Sequence, residues 1–432
     1  DDPEQSRRAV EVLGRMGPVA EKAIPTILRV AQKQTPPDDV YLESLARMGE
    51  PVIARVFEAV EKESPDALTG DHWSVRCLKS VGGVGIPKLT EALKNSNLSV
   101  RIAAARSLGE MGANADRAET RLMELLNDPD PRARAVALGS LVGVKASPDI
   151  VVPRVKAAIE DESTAVRLTG LQLVPALGEA GKALVPSVMA ALKDGDDTVR
   201  RAALNALDAN SAEAVPTLIE QLDDSTLRPA VLDALIRIGS PSSGAVQKLV
   251  ALLPKASKSQ RLQIFGLLAK LGPGAAAARP EISGSLNDKD AELRAAATSA
   301  FASLEGEAAL PVMISALDDS DPKVRQAAAV ALGKLGEKAR EAAPKLTALL
   351  RQESDRGPAL EALERLSVDS IPDLLEMLKI ADPDVKVFAC ERLRRVGRGK
   401  EEVIAPLEAA MRDDNSNVRR AARRAIERLK QK

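Results

Sequence analysis

One phrase of 16 residues recurs from one end of the chain to the other, and this repetition constrains the fold more than any other feature. Residues 321–336 read DPKVRQAAAVALGKLG, and residues 97–112 read NLSVRIAAARSLGEMG. With the arginine as position zero, 14 units are anchored about 32 residues apart, at residues 6, 38, 74, 101, 134, 167, 200, 228, 261, 294, 325, 356, 386 and 419. The anchor is Arg or Lys except at Ser6, Asp38 and Ser74. Such a period predicts a stack of similar units.

Each unit carries the start and stop signals of a first helix of about 14 residues. The residue four before the anchor is usually one that accepts a hydrogen bond from a free amide at a helix start, as at Asp2, Asn97, Asp130, Ser163, Asp196, Asp290, Asp321, Asp382 and Asn415. Apolar residues at +3, +7 and +10 fall on one helical face. Glycine at +11, as in Gly17, Gly49, Gly112 and Gly336, ends the helix.

A second helix follows in each unit and usually begins with proline. Proline suits a first helical turn because its missing N–H has no partner there, and it occurs at residues 25, 51, 87, 153, 186, 216, 280, 311, 344, 372 and 406. The next residues follow the pattern Pro-x-Leu-x-x-Leu-Leu, as at 344–350. Because no segment alternates like a strand, the sequence predicts an all-α chain.

These two phrases together resemble the HEAT repeat, and the short period is similar to the bacterial variety called PBS-lyase-type HEAT repeats. The resemblance runs from about residue 2 to residue 430. It implies an α-solenoid of about 14 stacked antiparallel helix pairs in a right-handed superhelix, forming one continuous domain over residues 1–432. It also implies that second helices line the concave side and that anchor arginines pair with aspartates of the turns. Such a stack is on the order of 100 Å long if adjacent helices are about 8–10 Å apart.

The composition removes most classes of enzyme. Aromatic residues make up 1% of the chain, and there are one histidine and two cysteines. These residues are too few for a zinc site or a disulfide framework. Small alanines at +2 and +3 explain the scarcity of rings, because neighbouring helices then pack closely. We therefore predict no catalytic residues, no metal site and no cofactor.

Two other features are best explained by structure. The acidic turns Asp128–Asp130, Asp194–Asp197 and Asp318–Asp321 lack the glutamate that closes a calcium loop, so we expect capping and pairing between units. Cys77 and Cys390 occupy positions where other units have Ala or Leu, which predicts small buried thiols.

The irregular segment 64–74 is the first candidate partner site. It contains the only histidine and the only tryptophan, His72 and Trp73, and the repeat spacing is disturbed on both sides. One interpretation is that Trp73 fills a wider gap between units. The other is that it anchors a partner, because Trp concentrates binding energy at interfaces.

The basic C-terminal cap, residues 386–432, is the second candidate. It holds 14 basic and seven acidic residues, whereas the whole chain has a net charge of −1. The candidate residues are Arg394, Arg395, Arg398, Lys400, Arg419, Arg420, Arg423 and Arg424. A polar cap that keeps the end of the solenoid soluble is one interpretation, and a patch for phosphates or an acidic protein is the other.

The favoured function is a non-catalytic protein–protein interaction scaffold. The alternative is binding of nucleic acid or an acidic partner through the C-terminal repeats. The near-neutral charge, and the lack of a basic residue at one position of successive second helices, disfavour nucleic acid. A lyase activity by analogy with the family name is the least favoured hypothesis.

The remaining expectations concern the context of the chain. The sequence starts Asp1-Asp2-Pro3 without Met, so we expect a processed product or an excised part of a larger protein, and an upstream signal is not visible. No apolar run is long enough to span a membrane. We expect a monomer, and the cytoplasm is the favoured compartment although nothing in the sequence fixes it.

Overall fold

The computed structural model describes residues 3–32, 38–367 and 369–430, and within these ranges all regular structure is helical. The chain forms two compact units, unit 1 at residues 1–214 and unit 2 at residues 215–432. Each unit is a stack of helix pairs, and the chain is the all-α solenoid that its repeats predict. That residues 1–432 form one continuous domain stays a prediction.

Unit 1 alternates longer first helices, which have odd numbers here, with shorter second helices, which have even numbers. Its helices are α1 (Pro3–Met16), α2 (Ile24–Gln32), α3 (Asp39–Met48), α4 (Pro51–Val60), α5 (Trp73–Val81), α6 (Ile86–Ala92), α7 (Leu98–Met111), α8 (Glu119–Leu125), α9 (Pro131–Gly143), α10 (Pro148–Ile159), α11 (Thr164–Leu173), α12 (Val185–Ala191) and α13 (Asp197–Ala206).

Unit 2 continues the same alternation. Its helices are α14 (Val215–Gln221), α15 (Arg228–Ile238), α16 (Val246–Leu252), α17 (Lys258–Leu271), α18 (Arg279–Ser285), α19 (Ala291–Glu305), α20 (Leu310–Ala316), α21 (Pro322–Leu335), α22 (Ala343–Leu349), α23 (Glu353–Arg365), α24 (Ile371–Leu378), α25 (Pro383–Val396), α26 (Ile404–Ala410) and α27 (Ser416–Lys430). Within each unit, successive first helices pack against one another, as α7 does on α9 and α25 does on α27.

Short 3-10 helices form most of the corners. They are Gly17–Ala23, Pro65–Ala67, Gly82–Gly85, Gly112–Ala118, Val174–Leu184, Ala212–Ala214, Ser240–Ala245, Leu253–Lys255, Gly272–Ala278, Gly306–Ala309, Gly336–Ala342 and Glu401–Val403. The corner glycines Gly17, Gly49, Gly112 and Gly336 have φ between 60° and 76°, a conformation that favours glycine, so the predicted helix ends are confirmed there. A positive φ also occurs at Lys145 and Ser367, which occupy the corner position in two repeats that lack the glycine.

The predicted N-terminal caps are largely confirmed. The side chains of Asn97, Asp130, Asp196, Asp290, Asp321, Asp382 and Asn415 each accept a hydrogen bond from an amide two residues later. Ser163 lies at the start of α11 but makes no such side-chain bond, so the prediction is wrong there. Asp2 lies outside the described residues, as does Lys432 of the basic cap.

The predicted first-helix length of about 14 residues holds for most repeats. It is wrong for five, since α3, α5, α11, α13 and α15 have nine to 11 residues. In the second repeat, Asp38 is itself the N-cap, and its side chain accepts a hydrogen bond from Val40 N. The cap of α5 is His72, so Arg76 takes the place of Ser74 as the anchor and donates to Asp39 at 2.6 Å.

Proline lies in the first turn of ten second helices, as predicted. The exception is Pro153, which is inside α10, because that helix begins five residues earlier at Pro148. A proline inside a helix lacks the N–H that would donate to the carbonyl four residues back. The prediction that Pro153 starts a second helix is therefore wrong.

Small residues let the first helices approach closely. A Cβ added to Gly109 on α7 would lie 2.8 Å from the Cα of Ser140 on α9, and Gly14 and Ser44 meet in the same way. Cys77 and Cys390 are fully buried, as predicted, and burial raises the pKa of each thiol to about 12. None of the helices in the described ranges is long and apolar enough to cross a bilayer.

Candidate functional site

The anchor arginines form a ladder of ion pairs between successive repeats, as the resemblance implies. Arg101 donates from Nε to Oδ2 of Asp128 at 2.8 Å and from Nη1 to the carbonyls of Asn95 and Ser96. The described rungs are Arg101–Asp128, Arg134–Asp161 and Arg167–Asp194 in unit 1, and Arg261–Asp288, Arg294–Asp319, Arg325–Asp355, Arg356–Asp382 and Lys386–Asp413 in unit 2.

The same turns supply the helix caps, so their carboxylates have structural tasks. In the turn at Asp128, the Oδ1 atom also accepts from the amide of Asp130, and Asp130 in turn caps α9. Asp194 and Asp319 accept in the same way from the amides of Asp196 and Asp321. The prediction that these turns serve for helix capping and for pairing between neighbouring repeats is confirmed.

A chain of three cavities runs along unit 1 and was not predicted from the sequence. The first, of about 450 Å³, lies along α4, α6 and the turn after α6, and Ile53, Phe57 and Ala92 contribute apolar lining. The second, of about 350 Å³, shares Lys94 and Asn95 with the first. We call the three cavities together the unit 1 groove.

The third cavity of the unit 1 groove has a volume of about 840 Å³. It shares the turn residues Asn127, Asp128 and Pro129 with the second cavity, so the three follow one another along successive repeats. It is lined by parts of α8, α9, α10 and α11, including the ladder pair Arg134 and Asp161. A groove built in this way presents equivalent positions of several repeats to a single ligand.

The charges of the unit 1 groove change along its length. At the apolar end, Lys88 is paired with Glu50 at 2.9 Å. In the middle, Arg121 is 2.6 Å from Glu124, and this hydrogen bond lowers the pKa of the Glu124 carboxyl. At the far end, Arg154 on α10 is exposed and makes no ion pair with any described residue. The groove therefore combines apolar contacts at one end with polar ones along the rest.

His72 and Trp73 lie at the start of α5. The His72 Nδ1 accepts from the amide of Ser74 at 3.4 Å and lies 2.7 Å from its hydroxyl, so the ring acts as a helix cap. Burial lowers the pKa of His72, and the nearby charge of Glu63 opposes this in part. Trp73 is 8% exposed and belongs to the core of unit 1. The burial of Trp73 favours the interpretation in which it fills a gap between neighbouring repeats.

The segment before His72 is held in place by its neighbours. It contains the 3-10 helix Pro65–Ala67 and the buried Leu68. Ser99 on α7 donates from its hydroxyl to the carbonyl of Glu63 at 2.8 Å, and Asn97 donates to the carbonyl of Glu61. These two bonds fix the chain just before residues 64–74, which were predicted to be irregular, and the 3-10 helix within that segment also contacts α7.

The basic C-terminal residues divide into two groups. Arg419 donates to the carbonyls of Asp413 and Asp414 at 2.7 Å, so it serves as an anchor of the repeat. Arg394 is paired with Glu391 on its own helix at 2.9 Å. The others are exposed and make no ion pair with a described residue: Arg395, Arg398 and Lys400 at the end of α25, and Arg420, Arg423 and Arg424 on α27. We call these six residues the C-terminal basic face.

The three arginines of α27 lie on one helical face, because their spacing is that of adjacent turns. On the interior helix α21, the position equivalent to Arg423 is Ala329, which is buried. At this position α27 therefore has an exposed arginine where α21 has a buried alanine, whereas the equivalents of Arg420 and Arg424 are Gln326 and the exposed Val330.

Comparison with known proteins identifies the repeat. The sequence profile of HEAT repeats matches residues 71–141, 118–207, 185–267, 281–367 and 355–427. No curated protein sequence matches the chain. Among solved structures, importin-β is similar at 12% identity with a TM-score of 0.60, covering 100% of this chain and 68% of that one.

Two further structures share the fold. Yeast importin-β, Kap95p, is 13% identical with a TM-score of 0.55, covering 100% of this chain and 72% of that one. Kap121p is 14% identical with a TM-score of 0.54, and 99% of this chain covers 57% of it. Identities this low establish likeness of fold alone, whereas the repeat profile matches most of the sequence. The chain belongs to the family of HEAT-repeat proteins.

Proposed function

We propose that this chain is a non-catalytic protein-interaction scaffold whose unit 1 groove holds an extended segment of a partner protein. The observation that carries the proposal is the continuity of the groove, in which three cavities share lining residues over successive repeats. An extended peptide can contact all three, whereas a compact small molecule would occupy one.

The lining of the groove suggests which segment it binds. Phe57 and Ile53 offer an apolar site for one large side chain at one end. Arg154 at the other end is exposed and without an ion pair among the described residues, so it favours an acidic side chain there. The partner segment would therefore carry an apolar residue and, further along, an acidic one.

Two further observations support a scaffold rather than an enzyme. The only histidine caps a helix, and the turn carboxylates are engaged in caps and ladder pairs. The structures that share the fold include Kap95p, whose binding changes the switch loops of RanGDP, and Kap121p bound to Nup53p. These are protein partners of those two proteins, and by analogy we place a protein segment in this groove.

The test is selection of random short peptides against the full chain, followed by affinity measurements. We expect the selected peptides to bind Ala54→Arg about tenfold or more weakly than the parent chain, because the long side chain enters the first cavity. Ala190→Arg is the matched control, since Ala190 is an exposed alanine of the second helix α12. Equal binding to all three proteins would refute a peptide site in the groove.

A second candidate function is binding of nucleic acid or an acidic protein by the C-terminal basic face. Its support is that Arg420, Arg423 and Arg424 form one exposed face without ion pairs to described residues. If this face binds nucleic acid, affinity should fall steeply with salt, and the triple change of these residues to Gln should weaken it. An unchanged affinity in the triple variant would exclude the face.

The third candidate is the predicted anchor at His72 and Trp73. If Trp73 contacts a partner, Trp73→Phe should weaken capture of that partner while leaving the stability of unit 1 nearly unchanged. If Trp73 fills a gap between neighbouring repeats, the same change should lower stability, because a smaller ring leaves a cavity in the core. Thermal unfolding and binding measured on the same variant separate the two outcomes.

A further inference from the structure

A separate pocket lies on the first-helix side of unit 1, where α7, α9 and α11 present their outer faces. Its volume is about 380 Å³. Three glycines line it, and a Cβ at Gly109 or Gly143 would meet the neighbouring first helix, whereas Gly139 faces open space. A Cβ added at Gly139 would meet no atom within 4 Å. We call this cavity the outer pocket.

Arg106 on α7 lines the outer pocket and lacks an ion pair of the kind that the anchor arginines of the same repeats have. Its Nε is buried and has no hydrogen-bond partner in the described structure. The nearest acidic residue, Glu110, is instead paired with Lys79 at 3.1 Å. By contrast, Arg101 and Arg134, whose side chains are 14% and 12% exposed, are each paired with an aspartate.

Ser140 on α9 supplies a second unsatisfied group in the same wall. It is 5% exposed, and its hydroxyl makes no hydrogen bond to any described residue. A helical serine normally satisfies its hydroxyl by donating to a carbonyl one turn back, as Ser107 does to Ala103 at 2.7 Å. A hydroxyl without a protein partner remains able to donate to a ligand or to water.

The rim of the outer pocket is polar, and Glu110, which also lines the pocket, has its carboxylate paired with Lys79. Gln172 is exposed, and its amide can donate to a ligand. Thr169 donates its hydroxyl to the carbonyl of Ala165 at 2.9 Å, so it remains an acceptor. Beside the paired carboxylate of Glu110, the pocket thus presents one guanidinium and two neutral donors, the hydroxyl of Ser140 and the amide of Gln172.

We propose that the outer pocket binds a carboxylate, supplied by an aspartate or glutamate side chain of a bound polypeptide. The carboxylate accepts hydrogen bonds from the guanidinium of Arg106 and from the hydroxyl of Ser140. A single guanidinium matches the single charge of a carboxylate, and its planar fork fits two carboxylate oxygens. A phosphate dianion would leave charge uncompensated. This site is distinct from the unit 1 groove and does not depend on the proposed function.

The test uses the full chain labelled with ¹⁵N-arginine and a short peptide with one central glutamate, capped at both ends so that it has no other carboxylate. We expect the glutamate peptide to shift the Nε resonance that is absent in Arg106→Lys. The same peptide with glutamine should not shift it. Arg106→Gln should weaken binding about tenfold, since a charge-assisted hydrogen bond is lost.

Cavity filling provides a second variant that leaves the arginine in place. Gly139→Leu places a side chain where an added Cβ meets no atom within 4 Å, at the wall of the outer pocket, and should abolish the shift. Gly266→Leu is the matched control, because a Cβ at Gly266 on α17 also meets nothing within 4 Å. Loss of the shift in Gly139→Leu but not in Gly266→Leu supports the site. An equal shift in both variants overturns it.

Two further probes separate the sources of the anion. If acetate shifts the Arg106 resonance as strongly as the glutamate peptide at the same concentration, the ligand is a free small carboxylate rather than a polypeptide. That outcome supports a carboxylate ligand but overturns the proposal that a polypeptide supplies it. If inorganic phosphate binds more tightly than both at equal ionic strength, the assignment of a carboxylate is wrong.

Discussion

Arg325 and Asp355 form the most deeply buried described rung of the arginine ladder. Arg325 Nη2 lies 2.6 Å from Oδ2 of Asp355, whose side chain is 1% exposed. In this rung the turn position is occupied by Gln352, whose Oε1 accepts from the same Nη2 atom at 2.7 Å. The carboxylate comes instead from inside α23, and this explains why it is more buried than the turn aspartates.

Removing one partner of this pair should be strongly destabilising. Arg325→Met leaves an uncompensated buried carboxylate, which typically costs about 3–5 kcal/mol. Asp355→Leu combined with Arg325→Met should recover part of this loss, because no buried charge then remains. Urea unfolding of the two variants and the parent chain measures the difference. A double variant no more stable than Arg325→Met would contradict a dominant role for the buried charge.

The ladder also predicts how stability depends on acid. Arg294, with Nη2 2.8 Å from Oδ1 of Asp319, lowers the pKa of that carboxyl by their hydrogen bond. The folded state then favours the ionised form, so its stabilisation is present above the ordinary pKa of about 4 and is lost as the pH falls through the lower folded value. Arg294→Gln should therefore flatten the loss of stability between about pH 5 and pH 3. Unfolding midpoints across this range test it, with the exposed Arg117→Gln as the control.

His72 is the only histidine in the chain and should give a pH dependence near neutrality. Burial lowers its pKa, so the folded state favours the neutral ring that accepts from Ser74. Stability from this cap is present above the ordinary imidazole pKa of about 6.5 and is lost as the pH falls through the folded value.

The variant His72→Asn keeps a good cap and removes the titration. We expect amide exchange in the first turn of α5 to accelerate in the parent chain as the pH is lowered from about 7.5 to about 5.5, after correction for intrinsic exchange. In His72→Asn it should stay constant. The same acceleration in both proteins would show that another group is responsible.

The sequence predicts most helix boundaries because each depends on a few adjacent residues. A cap such as Asp130 and a corner glycine such as Gly112 define a first helix without knowledge of the rest of the fold. Where the local signal is ambiguous, prediction fails: the repeat period places Asp38 at an anchor position, although it is a cap. Lys145 has a positive φ at a corner without the glycine that normally reveals such a corner, so the local sequence carries no signal for it.

The candidate sites are less predictable because they depend on the space between repeats. The unit 1 groove arises from how far successive turns lie apart, which no single repeat encodes. Arg106 has an ordinary position for a surface arginine, five residues after its anchor, and its lack of an ion pair emerges only when α7, α9 and α11 are assembled. The basic face of α27 is an exception, since its charge is visible in the sequence.

Two glycines on neighbouring first helices should respond in opposite ways to alanine. At Gly109 a Cβ would lie 2.8 Å from the Cα of Ser140, so α7 and α9 must separate. Forcing extra volume into such a contact costs about 1–3 kcal/mol, which exceeds the gain of about 1 kcal/mol in helix propensity. Gly109→Ala should therefore destabilise unit 1.

At Gly139, on α9, the added Cβ meets nothing within 4 Å, so only the higher helix propensity of alanine affects stability. Gly139→Ala should raise stability by about 0.5–1 kcal/mol. Calorimetric unfolding of both variants measures the sign, and each serves as the control for the other because the chemical change is identical. If both substitutions stabilise the protein, the close approach of α7 and α9 at Gly109 does not exist in solution.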